Sequence, residues 1–232
     1  MASWMVHLRI ADRLLMRLSD VSAEHFIMGN IAPDSGEPNE DWSSFTPDKA
    51  TSHYEERGAD GKKIIRTDRY VAEYFTKEKQ TGYTREQYSF YLGYLTHLLT
   101  DILWKRNVYE KSIAAYPEQA AKDLNAFVWE ELKRDWYDLD FLYLKKHPDF
   151  RAFEIYRKQD GFENCYMDMF SKRAFDSRRL YITDFYLAGR ENVEREYVYL
   201  TPEQADAFVE ESCACIYEQL KDYITIVEHD LS

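Results

Sequence analysis

Tyr88 to Trp104 read YSFYLGYLTHLLTDILW, a long apolar run with two polar residues of metal-ligating type set into it. His97 and Asp101 are four residues apart, so on a helix they stack on one face. Around them stand Leu92, Leu95, Leu98, Leu99, Ile102 and Leu103. An unpaired polar group in such surroundings costs a few kcal/mol, so the imidazole and the carboxylate need a partner. A divalent metal is one solution; a plain His–Asp hydrogen bond inside a core helix is the other. Thr84-Arg85-Glu86-Gln87, just upstream, has the form of a capping box and sets where this helix starts.

The rest of the chain is read outward from that helix. Trp4, Leu8, Ala11, Leu14, Leu15 and Leu18 make an apolar stripe that predicts a first helix from Ser3 to about Leu18, with His7 near its start. A short helix follows from Ser22 and is expected to stop before Gly29-Asn30. Ile31 to His53 carries three prolines and many short polar residues, which predicts a long functional loop. Glu55 to Arg66 reads as a turn. Helical period returns over Thr67–Lys79, again after Pro117 through Trp136, and over Phe162–Ala174 and Arg178–Leu187. Glu194–Leu200 alternates weakly, and Thr201-Pro202-Glu203-Gln204 opens a last helix. The expectation is an all-α, single-domain helical bundle spanning residues 1–232.

Composition narrows the function classes. The 232 residues are 45% hydrophobic with a net charge of -12, which describes a globular acidic protein. A basic surface for nucleic acid or anionic membrane is therefore not expected. Three cysteines without metal-type spacing, Cys165, Cys213 and Cys215, fit free thiols in a reducing cytoplasm. No run is long enough for a transmembrane helix, and the amino-terminal stretch has no signal-peptide pattern.

Of six histidines, His147 and His229 read as surface residues and His25 as structural. That leaves His7, His53 and His97, with Asp34 and Asp101 as the informative carboxylates. Taken singly, each has a plain structural explanation as a first-turn, loop or cap residue. Taken together, nitrogen and oxygen ligands from separate elements suit zinc. Glu131 and Asp135, with Asp138, share one side of a later helix; they form either a solvated face or part of a further metal position. The His229-Asp230 dipeptide lies at the extreme end of the chain, and no phosphate-cradling glycine loop, GxSxG or HExxH occurs.

The order WMVHLRIADRLL, FIMGNIAPDSG, SHY and YLGYLTHLLTD resembles the zinc-dependent phospholipase C family, whose fold is shared with zinc-dependent single-strand nucleases. The resemblance covers residues 1–140; residues 141–232 are expected to complete the core. It implies a helical bundle holding up to three zinc ions, another divalent metal being the alternative. It matches His7 to the early histidine, Asp34 to the loop aspartate, His53 to the histidine closing that loop, and His97 with Asp101 to the H-x-x-x-D pair, whose aspartate bridges two metals. Two features depart from it. Trp104 to Asn107 hold no histidine where the family has one, and Glu131 with Asp135 stand where a later H-x-x-x-E pair is expected. The secreted members also ligate metal through a processed amino-terminal residue, whereas Met1 stands here. The implied activity is metal-activated hydrolysis of a small phosphoester, such as a phospholipid head group, with Asp34 as catalytic base or orienting ligand. The alternatives are a non-catalytic metal-binding or interaction protein, and a metal-free structural core.

Overall fold

The computed structural model describes residues 1–59 and 61–229, with side chains through Ile224. Its centre is the helix expected from the sequence, α6 (Arg85–Trp104), buried from Tyr88 through Asp101. The capping box forms as anticipated. Gln87 N–H donates to Thr84 Oγ1 at 3.2 Å, and Thr84 N–H to the Gln87 side-chain oxygen at 3.0 Å.

Before α6 come α1 (Trp4–Leu15), α2 (Ala23–Ile31), α3 (Lys49–Ser52), α4 (Thr67–Tyr74) and α5 (Lys77–Gln80). After it come α7 (Glu110–Ala115), α8 (Pro117–Lys122), α9 (Leu124–Ala126), α10 (Lys133–Lys146), α11 (Arg151–Arg157), α12 (Ala174–Leu187) and α13 (Pro202–His229). Two small antiparallel pairs complete the set: β1 (Glu37–Pro38) with β2 (Phe45–Thr46), and β3 (Glu55–Arg57) with β4 (Lys63–Ile65). The molecule is an all-α bundle with two hairpins on it. One continuous apolar core runs from Ala2 through Leu220.

The packing of α2 on α6 positions everything that follows. A Cβ on Gly29 would fall 2.0 Å from the Phe90 carbonyl oxygen, and one on Gly93 would fall 2.1 Å from that of Phe26. Only glycine at both places lets the two backbones come this close. Gly29 is therefore a packing residue, and α2 continues through it to Ile31 instead of stopping before it.

Other expectations are corrected by local chemistry. Residues 162–173 are not helical, because the Asn164 side chain takes the bonds a helix would use. Its amide donates to the Met167 and Phe170 carbonyls and its oxygen accepts from the Tyr166 and Met167 N–H groups. Thr76 breaks the segment expected as one helix over 67–79 by starting α5 as its N-cap. The loop from Ile31 to His53 holds the β1–β2 hairpin and α3, and the turn from Glu55 to Arg66 holds β3 and β4. Residues 194–200 form no strand. The second capping box forms at Thr201 and Gln204. Asp230 and the side chain of His229 lie outside the described residues.

Candidate metal centre

Five side chains from four elements converge beside α6. His97 and Asp101 come from α6, His7 from α1, His53 from the end of α3, and Asp34 from the 3-10 turn that follows α2. His7, His53, His97 and Asp101 are 0–2% exposed, and the Asp34 side chain is nine-tenths buried. These are the five expected site residues, brought together from positions up to 94 apart in sequence.

The imidazoles are oriented from behind. His97 Nδ1 donates to the Asn30 carbonyl at 2.7 Å, which leaves the Nε2 lone pair facing inward. This bond exists because Gly29 and Gly93 let α2 approach. His53 Nδ1 lies 3.0 Å from Ser52 Oγ, a contact in which either atom can donate and which fixes the plane of the ring. Tyr94 holds the Ser52 carbonyl in turn. The result is that His53 Nε2 and His97 Nε2 face each other at 3.2 Å. Two lone pairs at that separation repel unless a cation or a proton sits between them.

The carboxylates close the same point. His53 Nε2 is 3.4 Å from Asp34 Oδ1 and 3.7 Å from Asp101 Oδ2, and His97 Nε2 is 3.6 Å from Asp101 Oδ2. Zinc with bonds of about 2.0–2.2 Å to nitrogen and oxygen needs tetrahedral ligands roughly 3.3–3.6 Å apart. Four of the six separations among these atoms fall at 3.2–3.7 Å, around that requirement. A core His97–Asp101 hydrogen bond, by contrast, is not made: 3.6 Å is too long for one.

Asp101 reaches both ways. Its Oδ1 accepts from the Ala2 N–H at 2.8 Å and lies 3.5 Å from His7 Nε2. The His7 ring stacks on His97 with centroids 3.8 Å apart, and neither of its buried nitrogens has a hydrogen-bond partner; nor does Asp101 Oδ2. Buried polar atoms are satisfied in the great majority of cases, so this concentration of orphans marks a place for a ligand. The Met1 amino group is buried nearby, and desolvation lowers its pKa against the pull of Asp101.

The electrostatics agree with the geometry. Burial alone would raise the Asp34 pKa, yet Lys49 and the contact with His53 hold the carboxyl well below the usual range. Burial likewise works against ionised Asp101, and His7 and the amino terminus overcome it. Burial, with His7 beside it, pushes the His97 imidazole down to about 3, so it stays neutral and able to ligate at any physiological pH. Ionised carboxylates and neutral imidazoles are the protonation states a metal requires.

Glu131 and Asp135 are not brought to this centre. Asp135 is engaged by Arg195 and by the N–H groups of Val198 and Tyr199, and Glu131 by the Tyr199 hydroxyl. Helical spacing placed them on one side correctly, but that side faces the 194–200 segment. Asn107, in a π-helical turn over Lys105–Tyr109, lines a separate cavity with Lys111 and Tyr199. His25 and His147 are structural and surface residues as read: His25 bonds Ser22 Oγ, and His147 stacks on Tyr143.

Sequence reasoning missed the supporting residues. Trp4, read as part of a core stripe, donates from Nε1 to Asp34 Oδ2 at 3.0 Å and fixes which oxygen faces His53. Its place three residues before His7 was the available signal. Asn30 orients His97 through its backbone carbonyl, which side-chain chemistry cannot reveal.

A family model described as zinc-dependent phospholipase C matches residues 6–174, well past the 140 residues over which motifs are recognisable by eye. No curated protein and no solved structure matches the chain. No helix among the described residues is long and apolar enough to cross a membrane. With a match over more than half its length, and His and Asp groups placed to hold metal, the chain belongs to the zinc-dependent phospholipase C family.

Proposed function

We propose that residues 1–232 act as one helical domain, a cytoplasmic zinc-dependent hydrolase of a small phosphoester. The observation that carries this reading is a pair of adjoining buried triads, Asp34–His53–His97 and His7–His97–Asp101, whose ligand atoms lie within 4.8 Å of one another in each. His7 and Asp101 Oδ1 would supply two donors to a neighbouring metal position. Bound zinc supplies a Lewis acid that lowers the pKa of water held on it towards about 7 and polarises the phosphoryl oxygens. Asp34, kept ionised by Lys49 and oriented by Trp4, is placed to take the proton of an attacking water. A small pocket opens directly onto Asp34 and His53, so a phosphoester has access to both. Free Cys165, Cys213 and Cys215 suit a reducing compartment.

The test is elemental analysis of protein purified without chelator, followed by turnover of a soluble phosphodiester by the zinc-loaded chain. Two zinc per chain, with turnover lost in Asp34→Asn, is the expected result. One observation favours a second reading, a non-catalytic metal-binding protein: the carboxylates expected to build a further metal position are engaged elsewhere. One zinc and no turnover on any phosphoester would select it.

A further inference from the structure

We propose that the pocket beside the metal centre selects phosphoesters that carry a second anionic group, held by Arg178 and Lys49. This rests on the phosphoester reading of the site and adds the class of head group. The pocket is lined by Trp4, Asp34, Phe45, Lys49, His53 and Arg178, among others, and encloses about 140 Å³. That is room for a compact polar group and well below the roughly 300 Å³ at which drug-sized ligand pockets begin.

Arg178 is the decisive side chain. It is 8% exposed, it donates to the Gly36 carbonyl at 2.7 Å, and no described carboxylate lies within ion-pairing distance of it. Its neighbour in sequence shows what a satisfied arginine looks like here: Arg179 is held by both Asp160 and Asp176. A guanidinium has five N–H donors, and a buried charge without a counter-ion carries a heavy desolvation penalty. The counter-ion that belongs at Arg178 has to come through the pocket it lines.

Two further cations share that field. Lys49 Nζ is 3.8 Å from Asp34 Oδ1, so any metal that draws on the Asp34 charge leaves Lys49 under-compensated. Lys133 is half-buried over the Trp129 ring; burial first and then Lys49 push its pKa down to about 8. Lys49 and Arg178 both line this mouth on a chain whose net charge is -12, and a low-dielectric cleft focuses such a local field. A quaternary ammonium head group finds no welcome. The Phe45 and Tyr181 rings that could receive one already lie 5.9 and 5.4 Å from the Arg178 guanidinium.

The experiment is calorimetric binding of phosphoglycolate and ethyl phosphate to the zinc-loaded full chain. The two share a phosphate and differ in one terminal carboxylate. Phosphoglycolate should bind at least tenfold more tightly, and both Arg178→Gln and Lys49→Gln should cut that ratio below about threefold. Lys49 is half exposed, so its substitution keeps the test open if the Arg178 variant fails to fold. Binding of neither ligand, a ratio near one, or a ratio that both substitutions leave intact would overturn the proposal; the last would mean that the carboxylate goes to metal. A tenfold ratio without turnover of any phosphodiester removes the hydrolase reading and keeps this one. Turnover with a ratio near one does the reverse.

Discussion

Two groups of buried acidic residues lie on neighbouring helices, and they resolve their charge in opposite ways. On α10, Asp135 and Asp138 are 3% and 7% exposed and are closed by protein: Arg195 reaches both, Arg190 joins Asp138, and two backbone N–H groups cap Asp135. On and around α6, Asp101, His7, His53 and His97 are at least as deeply buried, yet their donor atoms face one another with gaps of 3.2–3.7 Å and several have no partner. Each place pairs a buried aspartate with a second polar residue one helical turn away, Asp138 with Asp135 and Asp101 with His97. What differs is the complement brought up by the rest of the chain. Arginine makes the first a structural cluster; without one, the second is left open for the metal proposed there. Spacing nominates candidates; the accounting of partners decides between them.

The sharpest way to break this contrast is Asp101→Ala. It removes the carboxylate that faces both His53 and His7, so zinc affinity should fall by 100-fold or more. The apo chain should lose about 3–5 kcal/mol, the scale for breaking a buried charged cluster. Elemental analysis and denaturant unfolding read the two effects separately. Full zinc content in this variant would show that the metal sits elsewhere.

Next in size is Gly93→Ala. The added Cβ would sit 2.1 Å from the Phe26 carbonyl oxygen, so α2 must move off α6. A cost of about 3 kcal/mol is expected for overpacking at a backbone contact. Because the Asn30 carbonyl moves with α2, zinc affinity should also drop by about tenfold, the lower end for losing an outer-shell bond. A competition titration against a chromogenic chelator measures this. Unchanged affinity would mean that the α2 contact does not orient His97.

That prediction also shows what was legible beforehand. The α6 pattern, both capping boxes and the five ligand candidates could be read because each depends on residue type at short spacing. Gly29 was read as a helix stop because, locally, glycine does end helices; its actual role depends on Phe90, 61 residues away. Asn164 defeated the periodicity over 162–173 by offering the backbone a competing set of bonds. Arg195 could not be paired with Asp135 in advance, since nothing local ties residue 195 to residue 135. The sequence pattern therefore reached the side chains that converge at the centre and stopped short of the carbonyls and counter-ions that sort one acidic cluster from the other.

A third carboxylate sharpens the comparison through pH. Burial lifts Asp140 to about 7, although it accepts from Ser3 Oγ at 2.7 Å and the Tyr186 hydroxyl at 2.8 Å. The Tyr186 oxygen also receives the Met5 N–H, so this network anchors the start of the helix that carries His7. Its folded pKa is above its unfolded value near 3.8, so the folded chain keeps a proton that the unfolded chain has lost. The contribution is therefore fully present below about 3.8 and is lost as pH rises through about 7. Asp140→Asn should remove it, and the melting temperature of the variant relative to the unaltered chain should climb by a few degrees from pH 5 to pH 8. A difference that is flat with pH would place the Asp140 carboxyl in the ordinary range.

The smallest effect is expected where the two clusters are compared directly. Asp135→Asn keeps an oxygen for the Val198 and Tyr199 N–H groups and weakens the ion pair with Arg195, which Asp138 still holds at 2.7 Å. A loss of about 1–2 kcal/mol follows from replacing a charged hydrogen-bond acceptor by a neutral one. Zinc content should not change at all, because Asp135 is already committed to Arg195 and to the 194–200 backbone. Retained zinc with reduced stability would separate the paired cluster from the open one. Loss of zinc in Asp135→Asn would instead return this carboxylate to the ligand set, and would mean that the Arg195 pairing is one of two arrangements the chain adopts.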